Sequence, residues 1–373
     1  MSTSRIWTFS MIFSLCVMAI RADYRGSCGD NASFLYRTSD QTLLISGTGE
    51  IHSGGWKNVP RGGDSYISYA DSIRYIIVEE GITSIGEGTF NLLYNVLKVD
   101  LPETVTNIGY GAFSQCYLMK EIHLPSSLKT ICDNAFARCY NLSEIIIPIT
   151  VDSIGITSFS DCASLTKMIV EEGNMRYDSR EGCNAIIETE SDNLIVGSNS
   201  SFIPSTVKRI GNFAFESRLL SSIRMIPSSL EEIGEYAFAK CINLSFIEIP
   251  ESVNSIGDGA FVGCVELDTV KVYRREPLEL KMWFYGKLVY NPSTFSRTPL
   301  NYLIVPYGCK ESYQNTPIWK DFKNIIEETG TDIEQPQRSY IYNSPAYDIS
   351  GRIITKQGVP GFYVVRGEKV IIK

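Results

Sequence analysis

Histidine is almost absent from this chain. Its 373 residues include two, His52 and His123, and an imidazole-based zinc site needs more of them held close together. No H-E-x-x-H, G-x-S-x-G or paired C-x-x-C occurs, so the local signatures of zinc proteases, serine hydrolases and zinc ribbons are missing. Gly-x-Gly recurs at 86–88, 109–111 and 257–259, but Asn91, Ser114 and Val262 stand where a dinucleotide loop needs its third glycine. Acidic residues are plentiful, yet no pair stands out as a glycosidase dyad. His123 precedes Cys132 and Cys139 but alternates away from the core, which leaves a cysteine nucleophile without a base. The sequence predicts no catalytic residue, no cofactor and no metal.

Positive charge is also short. Lys and Arg total 34 against 42 Asp and Glu, for a net charge of −8. Phosphate binding needs a basic stripe, and none is present, which argues against nucleic acid and against an anionic membrane surface. Long apolar runs are limited to residues 6–20, which follow Arg5 and lead into Arg21-Ala22-Asp23. A bilayer crossing wants about 20 apolar residues. Residues 1–22 therefore read as a secretory signal peptide cut after Ala22, with no transmembrane segment after cleavage.

What the chain has in quantity is repetition. Phe90, Phe113, Phe136 and Phe159 lie 23 residues apart, and Phe215, Phe238 and Phe261 resume the step. Ile85, Ile108, Ile131 and Ile154 keep the same spacing, as do Pro102, Pro125 and Pro148 and, later, Pro204, Pro227 and Pro250. A fixed period of 23 falls in the leucine-rich-repeat range of roughly 20–29 residues. The predicted fold is a leucine-rich-repeat solenoid, mostly β with short helical turns. In each unit L-x-x-I-x-I-P reads as a short strand closed by proline, which cannot donate to a ladder. A second apolar pair follows, then a glycine (Gly109, Gly155, Gly234, Gly257) expected to supply positive φ, then a helical turn that carries Phe inward. Cys132 replaces that glycine once.

The array is expected over 72–272, in two blocks at 72–170 and 204–272. Residues 23–71 read as an N-terminal cap with strands at Ser33–Arg37 and Thr42–Ser46, and Trp56 and Tyr66 packed over its end. Phe159 and Phe215 are one period plus 33 residues apart. The excess, 171–204, reads as a hairpin of Ala185–Glu188 and Asn193–Gly197 projecting from one rung. Beside it, Arg218 takes a cysteine position and Arg224 an apolar one. The period fails after 272. Residues 273–328 read as a C-terminal cap with a strand at Tyr302–Val305 and a helix near Lys310–Asn315, followed by a polar linker at 329–345 and three short strands in 346–373.

Ten cysteines in an exported chain raise the prospect of disulfides. Five of them, Cys116, Cys139, Cys162, Cys241 and Cys264, sit three residues after a repeat Phe and so share one stacked column. Rungs about 5 Å apart would permit a bridge, but side chains pointing the same way give poor disulfide geometry. Buried free thiols are the expectation.

The unit L-x-x-I-x-I-P-x-x-[LV]-x-x-I-G-x-x-A-F-x-x-C resembles the BspA-like leucine-rich-repeat proteins, a surface-protein family abundant in Bacteroides relatives. The resemblance covers roughly 25–328, including Gly26-Ser27-Cys28-Gly29, the YDSREGCNAIIET stretch at 177–189 and the VPYGCKESYQNTPIWKDFKNI stretch at 305–325. Separately, Tyr347-Asp348-Ile349-Ser350-Gly351-Arg352, Gly361-Phe362-Tyr363-Val364-Val365 and Lys373 look like a type IX (Por) secretion sorting domain. These likenesses imply export to the cell surface or medium across the outer membrane, and an adhesin-like role.

Strand alternation selects a candidate ligand-binding face. Counting back from each proline, the outward positions are Lys98, Asp100, Glu121, His123, Glu144, Ile146, Lys167 and Ile169, then Phe246, Glu248, Thr269 and Lys271. Stacked, they form two columns on one broad surface suited to a protein or glycan partner; clustered apolar members are candidate anchors. A structural component of the cell envelope, with the same face merely solvated, is the competing expectation. A hydrolase stands behind both for want of a catalytic constellation, and nothing in the sequence fixes an oligomeric state.

Overall fold

The computed structural model describes residues 23–52, 69–220, 226–284, 287–290 and 293–328, and strand backbone within 346–372. The apolar run at 6–20, the linker at 329–345, Trp56, Tyr66 and Arg224 lie outside the described residues.

Strands stack in parallel, and the offset between partners is the sequence period. In the first column Tyr75 pairs with Lys98, Glu144 with Lys167 and Phe246 with Thr269. In the second, Asn107 pairs with Thr130, Thr130 with Ser153, Arg209 with Glu232 and Glu232 with Ser255. Period-two alternation puts Ile145, Ile147, Met168, Ile247 and Ile249 inside. Pro148 and Pro250 directly follow Glu144–Ile147 and Phe246–Ile249 and end those strands.

The Phe-bearing segments are turns rather than helical turns, and they form a third column. Alternate N–H groups donate to the next rung: Phe113 to the Ala135 carbonyl, Phe136 to Ser158 and Phe238 to Ala260, each at 2.8 Å. That geometry needs left-handed residues at fixed places, and Leu92, Gln115, Arg138, Asp161, Ser217, Lys240 and Gly263 all have φ between 57° and 73°. Among the described residues the α-helix is confined to Lys310–Asn315.

The glycines expected to supply positive φ do something else. Gly155 and Gly257 have ordinary φ, but a β-carbon on Gly155 would lie 2.3 Å from the Asp133 nitrogen, and one on Gly257 2.4 Å from the Glu235 nitrogen. They are glycine because one rung's backbone presses on the next.

The Phe rings stack along the core. Centroids of Phe90, Phe113, Phe136 and Phe159 are 5.3, 5.5 and 5.4 Å apart in turn, and Phe215, Phe238 and Phe261 repeat this at 5.3 and 5.5 Å. All seven are fully buried. Behind the rings a cysteine column runs in step, each Sγ–H donating to the Phe carbonyl one rung earlier: Cys139 to Phe113 at 3.2 Å, Cys162 to Phe136 at 3.1 Å, Cys264 to Phe238 at 3.0 Å. The cysteines of the described residues are free.

Both ends are woven into the columns. Thr42–Ile51 pairs antiparallel with Asn31–Arg37 and runs parallel to both Tyr75–Val78 and Ile82–Ile85, so one strand supplies both columns of the first rung. It turns the corner at Gly47 and Gly49, whose φ values are 114° and 86°. At the other end the periodicity lost after 272 returns in space. Tyr302–Val305 pairs with Thr269–Val272, and Asn324–Glu327 pairs with Tyr302–Val305. Phe295 stacks on Phe261 at 5.2 Å, and Trp319 and Phe322 close the column edge-on.

The insertion does not project. Ala185–Glu188 and Asn193–Gly197 form a hairpin, as the sequence predicts, but Asn193–Gly197 also pairs in parallel with Arg209–Ile210 and thereby joins the second column. Its inward residues Ile186, Ile187, Leu194 and Val196 are buried. The Phe stack breaks here, and Arg218 occupies the joint. Its guanidinium donates from Nε to Gly197 O at 2.7 Å, from Nη1 to Cys162 O at 2.8 Å and from Nη2 to Phe159 O at 3.1 Å. Burial lowers its pKa from the ordinary arginine value, and three carbonyl partners compensate the desolvated charge. In the tail, four short antiparallel strands take the order Ile353–Ile354, Ala346–Asp348, Gly361–Val365, Glu368–Ile372, one more than the sequence predicts.

Candidate binding surface

The outward residues of the first block form two adjacent columns. Lys98, Asp100, Glu121, His123, Ile146, Lys167 and Ile169 are exposed, and Glu144 is half-buried. Ile146 and Ile169 are cross-strand partners, 40% and 37% exposed, so the apolar members touch rather than scatter. Much of the charge is already matched. Lys98 Nζ lies 2.7 Å from Asp100 Oδ1, and Lys167 Nζ 2.8 Å from Glu144 Oε2. Such exposed pairs stabilise by about 0–1 kcal/mol. Glu121 and His123 make no hydrogen bond or ion pair among the described residues.

The ladder opens beside them. Residues 121–124 form no strand, and their main chain makes no hydrogen bond to Lys98–Asp100 or Glu144–Ile147 among the described residues. An open groove of about 170 Å³ lies here, lined by Glu121, His123, Glu144 and Ile146, with Glu171 at its edge. Glu171 is held in place by the Ile149 N–H, which donates to its Oε2 at 3.0 Å. Four of the predicted residues therefore converge on one concavity, with a free carboxylate, an imidazole and an apolar wall.

In the second block the prediction fares less well. Phe246, Glu248 and Thr269 are half-buried, and Lys271 is 8% exposed. Lys271 Nζ pairs with Glu328 and lies 4.6 Å from the Tyr273 ring centroid. Burial alone would pull the ammonium's pKa down; the Glu328 and Tyr273 contacts outweigh it and the net shift is upward. Tyr273 donates from its hydroxyl to Glu248 at 3.1 Å. The C-terminal stretch folds over this part of the face, which the sequence could not reveal because the covering residues carry no repeat. It also extends the face, with Tyr302 and Ile326 exposed.

A second surface escaped the strand-based reading. The residue after each cysteine-column position is exposed or half-exposed along one edge: Tyr94, Tyr117 and Tyr140, then Leu219, Ile242 and Val265. The tyrosines stack with centroids 4.8 Å apart. Their offset of 23 was the available signal. Among the described residues no group of three or more His, Cys, Asp or Glu is placed to hold a metal, and no helix is long and apolar enough to cross a membrane.

Residues 63–185 and 196–280 match the model of the BspA type leucine rich repeat region, in six copies. The chain belongs to this family. Its fold is similar to that of a leucine-rich repeat protein from Eubacterium ventriosum, at 25% identity and a TM-score of 0.55, covering 77% of this chain and 80% of that one. A leucine rich cell surface protein from Faecalibacterium prausnitzii is 19% identical, with a TM-score of 0.45 over 83% of this chain and 95% of that one. The pneumococcal vaccine antigen PcpA is 16% identical, with a TM-score of 0.48 over 82% of this chain and 99% of that one. No curated protein matches the chain.

Proposed function

We propose that this chain is an exported, surface-displayed binding module, adhesin-like, whose rungs stack into an elongated solenoid and whose first-column face recognises a protein or glycan partner without catalysing a reaction. The observation that carries the reading is the groove at 121–146, where Glu121 and His123, which make no hydrogen bond or ion pair among the described residues, stand beside the contiguous pair Ile146 and Ile169. Exposed apolar anchors ringed by polar groups are what recognition surfaces use. Family membership supports protein binding as the general role. Export rests on the leader-like residues 1–22, and passage across the outer membrane on the four-stranded tail and its sorting-domain likeness.

The full chain tested on an array of matrix proteins and glycans provides the check. Saturable binding, lost in the double variant Glu121→Lys, Glu144→Lys while thermal stability is kept, supports recognition by this face. The alternative is a structural component of the cell envelope. It is favoured by one observation, the matching of Lys98 with Asp100 and of Lys167 with Glu144 within the protein, and silence across the array would select it. Turnover of a peptide or glycoside library would instead identify an enzyme.

A further inference from the structure

The second-strand column is broken where the insertion enters. Ser153–Ile154 pairs with Thr130–Ile131 on one side. On its other side the Ile154 N–H donates to the Tyr177 hydroxyl at 3.1 Å, where a regular rung would offer a strand. Asn193–Gly197, the next member of the column, pairs with its hairpin partner and with Arg209–Ile210. A crevice of about 140 Å³ lies at this joint. Ile154, Ile156 and Ile195 give it an apolar wall, and Asn193, Arg209 and Asn212 supply its polar groups.

Those polar groups are incompletely used. Asn193 Oδ1 is buried and has no hydrogen-bond partner among the described residues, a costly state for an acceptor. Asn212 Oδ1 accepts the Glu235 N–H at 2.8 Å, which turns its amide nitrogen into the free end of that side chain. Arg209 is held by Glu232 at 3.0 Å, so the lining carries no net charge. An unmet acceptor shares the crevice with an amide nitrogen that makes no hydrogen bond among the described residues, beside isoleucine surface. A hydroxyl group can donate to the first and accept from the second, and a ring bearing several hydroxyls has carbon-bound hydrogens to lay on the apolar wall.

We propose that this crevice is a subsite for one ring of a neutral, polyhydroxylated ligand, a sugar residue at the end of a glycan. Its volume falls well below the roughly 300–1,000 Å³ of sites that engulf drug-sized molecules, so a single ring enters and the rest of the ligand stays in solvent. Charge neutrality disfavours anionic and cationic ligands alike. The subsite is separate from the first-column face, because it lies in the second column where Asn193 and Ile195 of the insertion meet repeat residues Ile154, Ile156, Arg209 and Asn212.

Saturation-transfer NMR on the full chain tests this, with glucose, galactose, mannose, N-acetylglucosamine and their short oligomers as probes. At least one is expected to receive saturation, most strongly at a terminal ring. Asn193→Ala removes the orphan acceptor, and Ile156→Arg blocks the mouth at a position that is 55% exposed and tolerant of change. Each should weaken the dissociation constant tenfold or more with the far-UV spectrum and melting temperature kept, while Glu121→Lys, Glu144→Lys leaves sugar binding unchanged. Absence of transfer to every probe, equal binding by both crevice variants, or, with glucuronic acid and unacetylated glucosamine added as charged probes, their selective uptake in place of the neutral sugars would overturn the assignment.

Discussion

The Phe215 ring lies directly over Gly197. A β-carbon added at Gly197 would sit 2.0 Å from Phe215 Cε1, and 2.4 and 2.5 Å from two further ring atoms. The hairpin of the insertion and the first Phe of the second block are thus fitted to each other with no space between them. Gly197→Ala should destabilise the chain by about 1–3 kcal/mol, the usual range for overpacking. Combining it with Phe215→Leu should cost less than the sum of the two single changes, a coupling that denaturant unfolding of the four proteins would measure. Additive losses would mean that the ring and the glycine are not in contact.

Arg218 predicts a second sensitivity. Lysine cannot reach the Gly197, Cys162 and Phe159 carbonyls together, so Arg218→Lys should leave buried acceptors unmet at about 1–3 kcal/mol each. The same change at exposed Arg209 should be within about 0.5 kcal/mol of neutral. Urea midpoints compared at equal m-values separate the two.

Thiol titration links stability to pH. Burial pushes the Cys162 thiol up to about 11 and the Cys264 thiol up to about 12, from an ordinary 9.0, and moves Cys139 and Cys241 well upward. In the unfolded chain these groups lose their protons near pH 9, while the folded state holds them protonated. Their contribution is therefore complete below pH 9 and is lost as pH rises toward 12. Stability measured by urea unfolding should stay level to about pH 8 and then fall, more gently in Cys162→Ala, Cys264→Ala. Native alkylation at pH 8 should mark the half-buried Cys132 before any of the buried column.

Shape provides a fourth test. A compact domain of 373 residues would have a radius of gyration of about 21 Å. Rungs stacked end to end should give a clearly larger value and an asymmetric distance distribution in small-angle scattering.

Much of the core was legible because its spacing is rigid. Phe113, Cys139 and Ile154 could be placed in columns from arithmetic alone, and the bounds of the Ala185–Glu188 and Asn193–Gly197 strands follow from their apolar runs. The turn was misread, since A-F flanked by polar residues has the look of a helical turn, and a left-handed arginine or aspartate at 138 or 161 leaves no mark in composition. Phe295 went unseen because 34 residues, not 23, separate it from Phe261. The binding face was half legible. Alternation identifies outward positions such as Ile146 and Lys167, but the pairing of Lys167 with Glu144 and the cover laid over Lys271 by Glu328 depend on neighbours in space.

The third column's hydrogen bonds, such as Phe113 N–H to Ala135 O and Phe136 N–H to Ser158 O, are made between equivalent atoms at each step within a block. A whole unit can therefore leave or enter without any new interface having to evolve. Excising 118–140 would bring the residues around Phe113 and Phe159 into phase and leave both ends unaltered. Reach is in that sense a heritable quantity counted in units of 23 residues, adjustable by recombination, whereas the stretch around Gly197 and Arg218 is a singular joint where such slippage would be fatal.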